Sequence, residues 1–373
     1  MPTLNLAILV RNFISTGGSE RYAYEVTKRL VRKGHKVTVF CWQAEAALVE
    51  NINIIKVPGP YGFSGVTRLF SYIRQVSKLL DNHNFDVIHS HERGYIQDLL
   101  TVHCFSYASG LNQYCGLRKI DQLYLSPRSW LYLWIEKKQM QTPWLAAVSK
   151  VIQDDISSNY HRQNNVRVIT PGVDTNFFNP DWCSQHRALR RQEEHIADNE
   201  LAVLFVGSEF KRKGLDRLIP ALGKNMKLIV LGKGEKHAHY RKLAEKHNVE
   251  DRVFFKGLCD DVRKYYALAD VVVLPSLSEA FGMSILEAMS CGIPVIASPD
   301  SGVSALICQE ENGFLATRTD DISNLLKRLG DPELRKQVGI QARKTAENYT
   351  WDSIADSYEK LYEEIVTAKA KRL

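Results

Sequence analysis

Short apolar runs of five to seven residues, rich in β-branched side chains, recur along the chain and alternate with helix-length amphipathic stretches. In the first half they are LNLAILV (4–10), KVTVFC (36–41), NIIKV (53–57), FDVIHS (85–90), LLTVHC (99–104), WLAAVS (144–149) and VRVIT (166–170). Strands apolar throughout need cover on both faces, and helices on either side of a parallel sheet provide it. SERYAYEVTKRLVRK (19–33), stopped by Gly34, reads as one such helix. The segment TPGVDTNFFNPDW (170–182) then breaks the rhythm with Pro171, Gly172 and Pro180, as a linker does. The pattern restarts with LAVLFVG (201–207), MKLIVLG (226–232), RVFFKG (252–257), DVVVLPS (270–276) and IPVIAS (293–298). A chain of 373 residues is too long for one ordinary core. The expectation is α/β, with doubly wound domains over 1–170 and 171–350. The tail 351–373 reads as a helix whose stripe of Ile354, Tyr358, Leu361 and Ile365 packs back on the first domain.

Composition excludes several classes. With 45% hydrophobic and 24% charged residues the chain is globular, and no apolar run has membrane-spanning length. The opening MPTLNLAILV reads as a buried strand and not as a signal peptide, so a cytoplasmic location is expected. The seven cysteines are scattered without a CxxC pair, which argues against a disulfide framework and a zinc site. Residues 1–172 hold 20 basic and 12 acidic side chains, the remainder 29 and 30, so all excess positive charge lies in the first half. That favours an acidic partner there, while ordinary solvation of a surface would look the same.

In doubly wound sheets ligands bind beyond the carboxyl ends of the strands, at the point where strand order reverses. The loops there carry the chemistry. In SLSEAFGMSILEAMSCG, Glu279 precedes a helix start and Glu287 lies about one turn inside it. Gly282, Met283 and Ser284 can offer backbone N–H groups to a diphosphate, with Glu287 within reach of ribose hydroxyls. In VGSEFKRKGLDRL the cluster Lys211, Arg212 and Lys213 follows a strand and could neutralise such a diphosphate. Gly17 and Gly18 sit between the first strand and the first helix, with Ser19 expected as N-cap. His89, His91 and His103 follow strands, and a strand-end histidine can serve either packing or proton handling. Gly232 and Gly234 form GxG without a third glycine, a weak dinucleotide signal. No Asp-x-Asp pair is present, so no divalent metal is required.

The pair E-x7-E in EAFGMSILEA, with GGSE, TPGVD, VG…KRKG, LGKGE, VFFKG and GIPVIAS in this order, resembles the retaining glycosyltransferases of family 4 (GT4). The resemblance spans nearly the whole chain and implies a GT-B fold, two Rossmann-like domains facing across a cleft. It implies that Gly17 and Gly18 approach donor phosphates and acceptor, and that His103 lies near the transferred sugar. Lys213 and Arg212 would bind the diphosphate, Glu279 the donor-sugar hydroxyls and Glu287 the ribose. Gly282, Met283 and Ser284 would meet phosphates and sugar through backbone N–H groups. Ser208 departs from the pattern, since many members have Arg there, and Arg212 is then the candidate for the phosphate-binding arginine. The form VGSEFKRKG is similar to the lipopolysaccharide-core glucosyltransferases, which implies UDP-glucose as donor and no cofactor.

An anionic glycan or lipid-linked acceptor would fit the basic first half. TRLFSYIRQVSKLL (67–80) and RKIDQLYLSPRSWLYLWIEKK (118–138) mix basic and aromatic residues, as core helices and membrane-interface helices both do. The second, with Trp130, Tyr132 and Trp134 beside Lys137 and Lys138, is expected to touch a membrane surface peripherally. Nucleic acid is not expected, because no binding module accompanies the charge. The alternatives are a nucleotide-sugar epimerase of the same fold, a non-catalytic nucleotide-sugar-binding partner, and an NAD oxidoreductase resting on the incomplete GxG.

Overall fold

The computed structural model describes residues 2–45, 52–59, 61–112, 126–235 and 237–371. The chain divides into two compact units, one running to Pro171 and resumed from Trp351 onward, the other spanning Gly172–Thr350. Residues 118–125 of the second basic-aromatic segment, and Cys115, lie outside the described residues.

The first unit contains β1 (Asn5–Leu9), β2 (Asn12–Phe13), β3 (Lys36–Cys41), β4 (Gln43–Ala44), β5 (Asn53–Lys56), β6 (Val87–Ser90), β7 (Leu99–Val102), β8 (Trp144–Ala147) and β9 (Val166–Val168). Seven of them form one sheet in the order β5-β3-β1-β6-β7-β8-β9, every described pairing parallel. The chain winds outward from β1 through β3 to β5, then returns to β6 and winds the other way, so strand order reverses between β1 and β6. The core strands are buried on both faces: Leu6, Ala7, Ile8, Leu99, Leu100, Leu145 and Ala146 have no accessible surface. Continuous apolar runs are the mark of such strands.

The second unit contains β10 (Leu201–Val206), β11 (Met226–Leu231), β12 (Val253–Gly257), β13 (Val271–Leu274), β14 (Val295–Ala297) and β15 (Phe314–Leu315), in the order β12-β11-β10-β13-β14-β15. The reversal here falls between β10 and β13, which pair through Val203↔Val271 and Leu204↔Val272. Both sheets are therefore of the doubly wound, Rossmann-like kind.

The C-terminal helix Trp351–Ala370 belongs to the first unit, where it packs against the helix Ser19–Arg32. Its stripe is buried, with Ile354, Tyr358, Leu361 and Ile365 all at 5% exposure or less. Polar contacts fix its register. Tyr358 OH lies 2.9 Å from Tyr22 OH and 2.8 Å from Thr101 Oγ1, and His89 Nδ1 lies 2.7 Å from Tyr362 OH. With this helix included, the first unit holds 24 basic and 17 acidic residues and the second 25 of each, so the net +7 belongs wholly to the first unit.

Three details depart from the sequence reading. Pro180 is not linker but the first residue of the helix Pro180–Glu193, where Asn179 accepts from Trp182 N–H at 2.8 Å. Ser19 does not cap the first helix; Gly18 holds that position, and the Ser19 hydroxyl donates to Glu20 Oε2 at 2.9 Å. The two-residue strands β2, β4 and β15 are too short to produce any periodicity.

Candidate functional site

Two loops meet at the reversal point of the second sheet. The first, after β10, holds Ser208, Arg212 and Lys213; the second, after β13, holds Glu279 and leads to the helix Met283–Ser290. Backbone and side-chain bonds join them. Leu277 N–H donates to the Arg212 carbonyl at 2.8 Å, and Arg212 Nη1 donates to the Ser278 carbonyl at 2.6 Å. Ser284 Oγ donates to the Val206 carbonyl at 3.3 Å, which ties the helix start to the end of β10.

Lys213 can lie across this site because residue 207 is glycine: a Cβ there would stand 2.2 Å from Lys213 Cδ. The lysine Nζ donates to Glu279 Oε2 at 2.9 Å, and Arg212 Nη1 donates to the same oxygen at 3.3 Å. Arg212 also pairs with Glu209. Burial works against the Arg212 charge, but Glu279 and Glu209 outweigh it and raise its pKa further. The Glu279 backbone is pinned as firmly as its side chain, with Gly302 N–H donating to its carbonyl at 3.0 Å.

The helix Met283–Ser290 begins at Gly282, whose left-handed conformation (φ +106°) only glycine adopts without strain. No side chain caps this end, so the first N–H groups face outward from it. Glu287 is nearly buried at 6% exposure, and the Tyr266 hydroxyl lies 2.9 Å from its Oε2 and 3.1 Å from the Ser284 carbonyl. The structure thus brings together Arg212 and Lys213 on one loop, Glu279 and Gly282 on the other, and Met283, Ser284 and Glu287 on the helix that follows it. Ser208 joins them, its Oγ accepting from Lys233 N–H at 3.3 Å.

The GxG pair has a packing role. A Cβ on Gly232 would stand 2.2 Å from the Gly207 carbonyl oxygen, and one on Gly234 would stand 1.9 Å from the Phe210 ring. Both glycines let β11 and its loop press against the Lys213 loop.

In the first unit a cavity of about 350 Å³ opens at the reversal point between β1 and β6. His103, Arg11, Glu92, Arg93, Tyr132 and Glu136 line it. His103 Nε2 lies 3.0 Å from His91 Nδ1, while His91 Nε2 is buried with no partner among the described residues. Orphaned buried N–H groups are rarer than orphaned acceptors, which places the proton on His91 Nδ1 and leaves His103 an Nδ1–H to offer. Desolvation takes the His103 pKa down to about 3, so the ring is neutral and serves as a hydrogen-bonding group instead of a cation. Gly17 adopts φ +91° beside Glu20, and Gly18 has open space around it.

The sequence reading missed Arg11, Glu92, Arg93, Glu136 and Glu209. Arg11 Nε donates to Glu92 Oε2 at 2.7 Å, and Arg93 lies over the Tyr132 ring at 5.4 Å. Glu136 is buried, receiving Tyr107 N–H at 2.6 Å and the Tyr160 hydroxyl. Arg11 and Glu92 each lie two positions past the ends of β1 and β6, so the rule that singled out His91 would have found them one residue further on. Among the described residues no group of three or more His, Cys, Asp or Glu side chains could hold a metal ion.

Comparison with known proteins places this architecture. The family model of group 1 glycosyl transferases matches residues 186–345, and that of glycosyltransferase family 4 matches residues 16–177. A glycosyltransferase of Methanocaldococcus jannaschii is 27% identical, the match covering 93% of this chain and 94% of that protein. The crystal structure of WaaG, a glycosyltransferase involved in lipopolysaccharide biosynthesis, aligns with a TM-score of 0.80 at 24% identity, over 96% of this chain and 99% of that one. HepE from Anabaena, solved in complex with UDP and glucose, aligns with a TM-score of 0.75 at 19% identity, over 96% and 99% of the two chains. Two Rossmann-like domains with these loops define a glycosyltransferase of the GT-B fold. More narrowly, the two family models together span most of the chain, and it belongs to the family 4 glycosyltransferases.

Proposed function

We propose that this protein moves a hexose, glucose before others, from a UDP-linked donor to an anionic glycan or lipid-linked acceptor such as a lipopolysaccharide core, with retention of anomeric configuration and without a divalent metal. The observation that carries the reading is the convergence of Arg212, Lys213 and the glycine-capped helix start on one reversal point. Breaking a sugar–diphosphate bond develops negative charge on the departing diphosphate. Fixed cations and backbone N–H groups aimed there lower the barrier electrostatically. Glu279 takes donor-sugar hydroxyls and Glu287 the ribose; His103, Gly17 and Gly18 keep the roles that the family pattern gives them, and Ser208, where that pattern has Arg, lies in the donor loop. The UDP and glucose bound by HepE support a UDP-linked donor. The net +7 of the first unit supports an anionic acceptor, and the cavity there, with Arg11 paired to Glu92 and Arg93 beside Glu136, offers polar contacts of both signs.

Exposed Trp130 and Trp134 on the helix Pro127–Gln139 support peripheral membrane contact. The same helix turns Tyr132 and Glu136 into the cavity wall, so the acceptor and the membrane surface would meet on one element. Among the described residues no helix is long and apolar enough to cross a membrane.

The test is transfer from UDP-glucose to purified core oligosaccharide, with thermal shift against UDP, GDP, ADP and NAD. Removing one charge-stabilising donor commonly costs about 100-fold in rate. Glu279→Gln and Lys213→Ala should each lose at least that much; near-normal turnover in both would sink the proposal. Stabilisation by GDP alone would move the donor to a GDP-sugar, and by NAD alone would overturn the reading.

A further inference from the structure

One oxygen of Glu279 receives both cations of the site, Lys213 Nζ at 2.9 Å and Arg212 Nη1 at 3.3 Å. The pair is sheltered: the Lys213 and Glu279 side chains are 16% and 12% exposed. Sheltered Lys213 and half-buried Arg212, next to exposed Lys211, repel one another and need a counter-charge to stay in place. Glu279 supplies it, from a backbone held to the 300–303 segment by Glu279 N–H to the Asp300 carbonyl and Val303 N–H to the Phe281 carbonyl at 2.7 Å. This carboxylate holds the charges that a diphosphate would seek.

Resting on the donor reading above, we propose that Glu279 is a stand-in anion that yields Arg212 and Lys213 to the donor diphosphate and recaptures them as the nucleoside diphosphate leaves. Binding of any diphosphate must break two charge-assisted contacts to Glu279, which weakens it. A complete nucleotide sugar compensates, because its hydroxyls donate to the released carboxylate beside Gly282. The free nucleoside diphosphate has no sugar and offers no such donors. Glu279 therefore discriminates donor from product and hastens product release. A residue that only contacts sugar would not touch product affinity at all.

Isothermal titration of the full chain and its Glu279→Gln variant reads this directly, using UDP, GDP and ADP with UDP-glucose, GDP-mannose and ADP-glucose. For the nucleotide that binds, the variant should hold the free diphosphate about tenfold tighter, a change of about 1.4 kcal/mol. Its preference for the nucleotide sugar over the diphosphate should shrink by at least the same factor. In a Lys213→Met background the tightening should shrink to the part that Arg212 contributes. Equal or weaker diphosphate binding by Glu279→Gln overturns the stand-in role while leaving the donor reading intact. Tightening of undiminished size in the Lys213→Met background also overturns it, since the effect would then be a diffuse field. No binding of any nucleotide to the unaltered protein fails the donor reading itself, and the stand-in role with it. Should the Gln variant not accumulate, Glu279→Asp withdraws the carboxylate from Lys213 by one methylene and should tighten the diphosphate in the same direction.

Discussion

His89 sits at the end of β6 with no accessible surface, its Nε2 at 2.7 Å from Thr101 Oγ1 and its Nδ1 at 2.7 Å from Tyr362 OH. Burial first, and the nearby His103 second, lower its pKa from 6.5 to about 3. His91 is lowered well below 6.5 by burial and by the same neighbours. An unfolded histidine takes up its proton near pH 6.5, whereas these two stay neutral in the folded chain. Between pH 6.5 and about 3 the unfolded state binds more protons, so stability is lost as the pH falls through 6.5. His89 costs about 1.4 kcal/mol per pH unit in that range, and His91 acts in the same direction. The melting temperature should drop steeply from about pH 7 to about pH 5, and His89→Gln should flatten that slope even if it lowers the plateau. An unchanged slope in the variant would refute the assignment. At this scale the sequence showed part of the site. The spacing of Glu279 and Glu287 and the cluster Lys211–Lys213 could be read because each lies within one short stretch of chain. Arg93 and Glu136 could not, because they join through the fold across 43 positions of chain, counted from their numbers.

Elements were more legible than contacts. The buried strands announced themselves because parallel sheets covered on both faces require unbroken apolar runs, and their order of appearance predicts double winding. The runs overshot the strands at the carboxyl ends, and the surplus residues are informative. LLTVHC continues past Val102 to His103, and DVVVLPS past Leu274 toward the Glu279 loop. The two basic-aromatic helices looked alike in sequence and differ in the fold. Gly65–Leu80 buries Leu69, Tyr72, Ile73, Val76 and Leu80, whereas Pro127–Gln139 buries Ile135 and leaves Trp130 and Trp134 exposed. Pattern alone could not separate them, because amphipathicity reports a face and not what covers it. The C-terminal helix is tied to the first unit by buried hydroxyls as well as by its stripe. Tyr358→Phe removes one hydroxyl that bridges Thr101 and Tyr22, leaving both with a lost partner. Tyr22 keeps the Ile169 carbonyl and Thr101 keeps His89, so the loss is that of the hydrogen bonds alone, about 1 kcal/mol each. The melting temperature should fall accordingly with helix content unchanged, and an unaffected melting temperature would show that the bridge contributes nothing.

At the scale of the whole molecule, charge is partitioned by domain: +7 on the first unit and none on the second. Of the six exposed aromatic residues among the described ones, Tyr61, Phe63, Tyr95, Trp130 and Trp134 lie on the first unit and Phe177 on the second. Basic charge draws a protein toward anionic headgroups at about 1 kcal/mol for each residue near the surface, over a range set by salt. Aromatic rings then anchor at headgroup depth through a contact that salt does not screen. The two contributions separate in one experiment. Flotation with vesicles containing phosphatidylglycerol should capture the protein at low ionic strength, and raising the salt should release most of it. Pure phosphatidylcholine vesicles should capture little. Replacing Trp130 and Trp134 together by Ser should weaken capture at every salt concentration without altering the salt dependence. A double variant that binds as the unaltered chain does would remove the helix Pro127–Gln139 from the membrane contact. Equal binding to the two kinds of vesicle would show that the charge asymmetry has no role in recruitment.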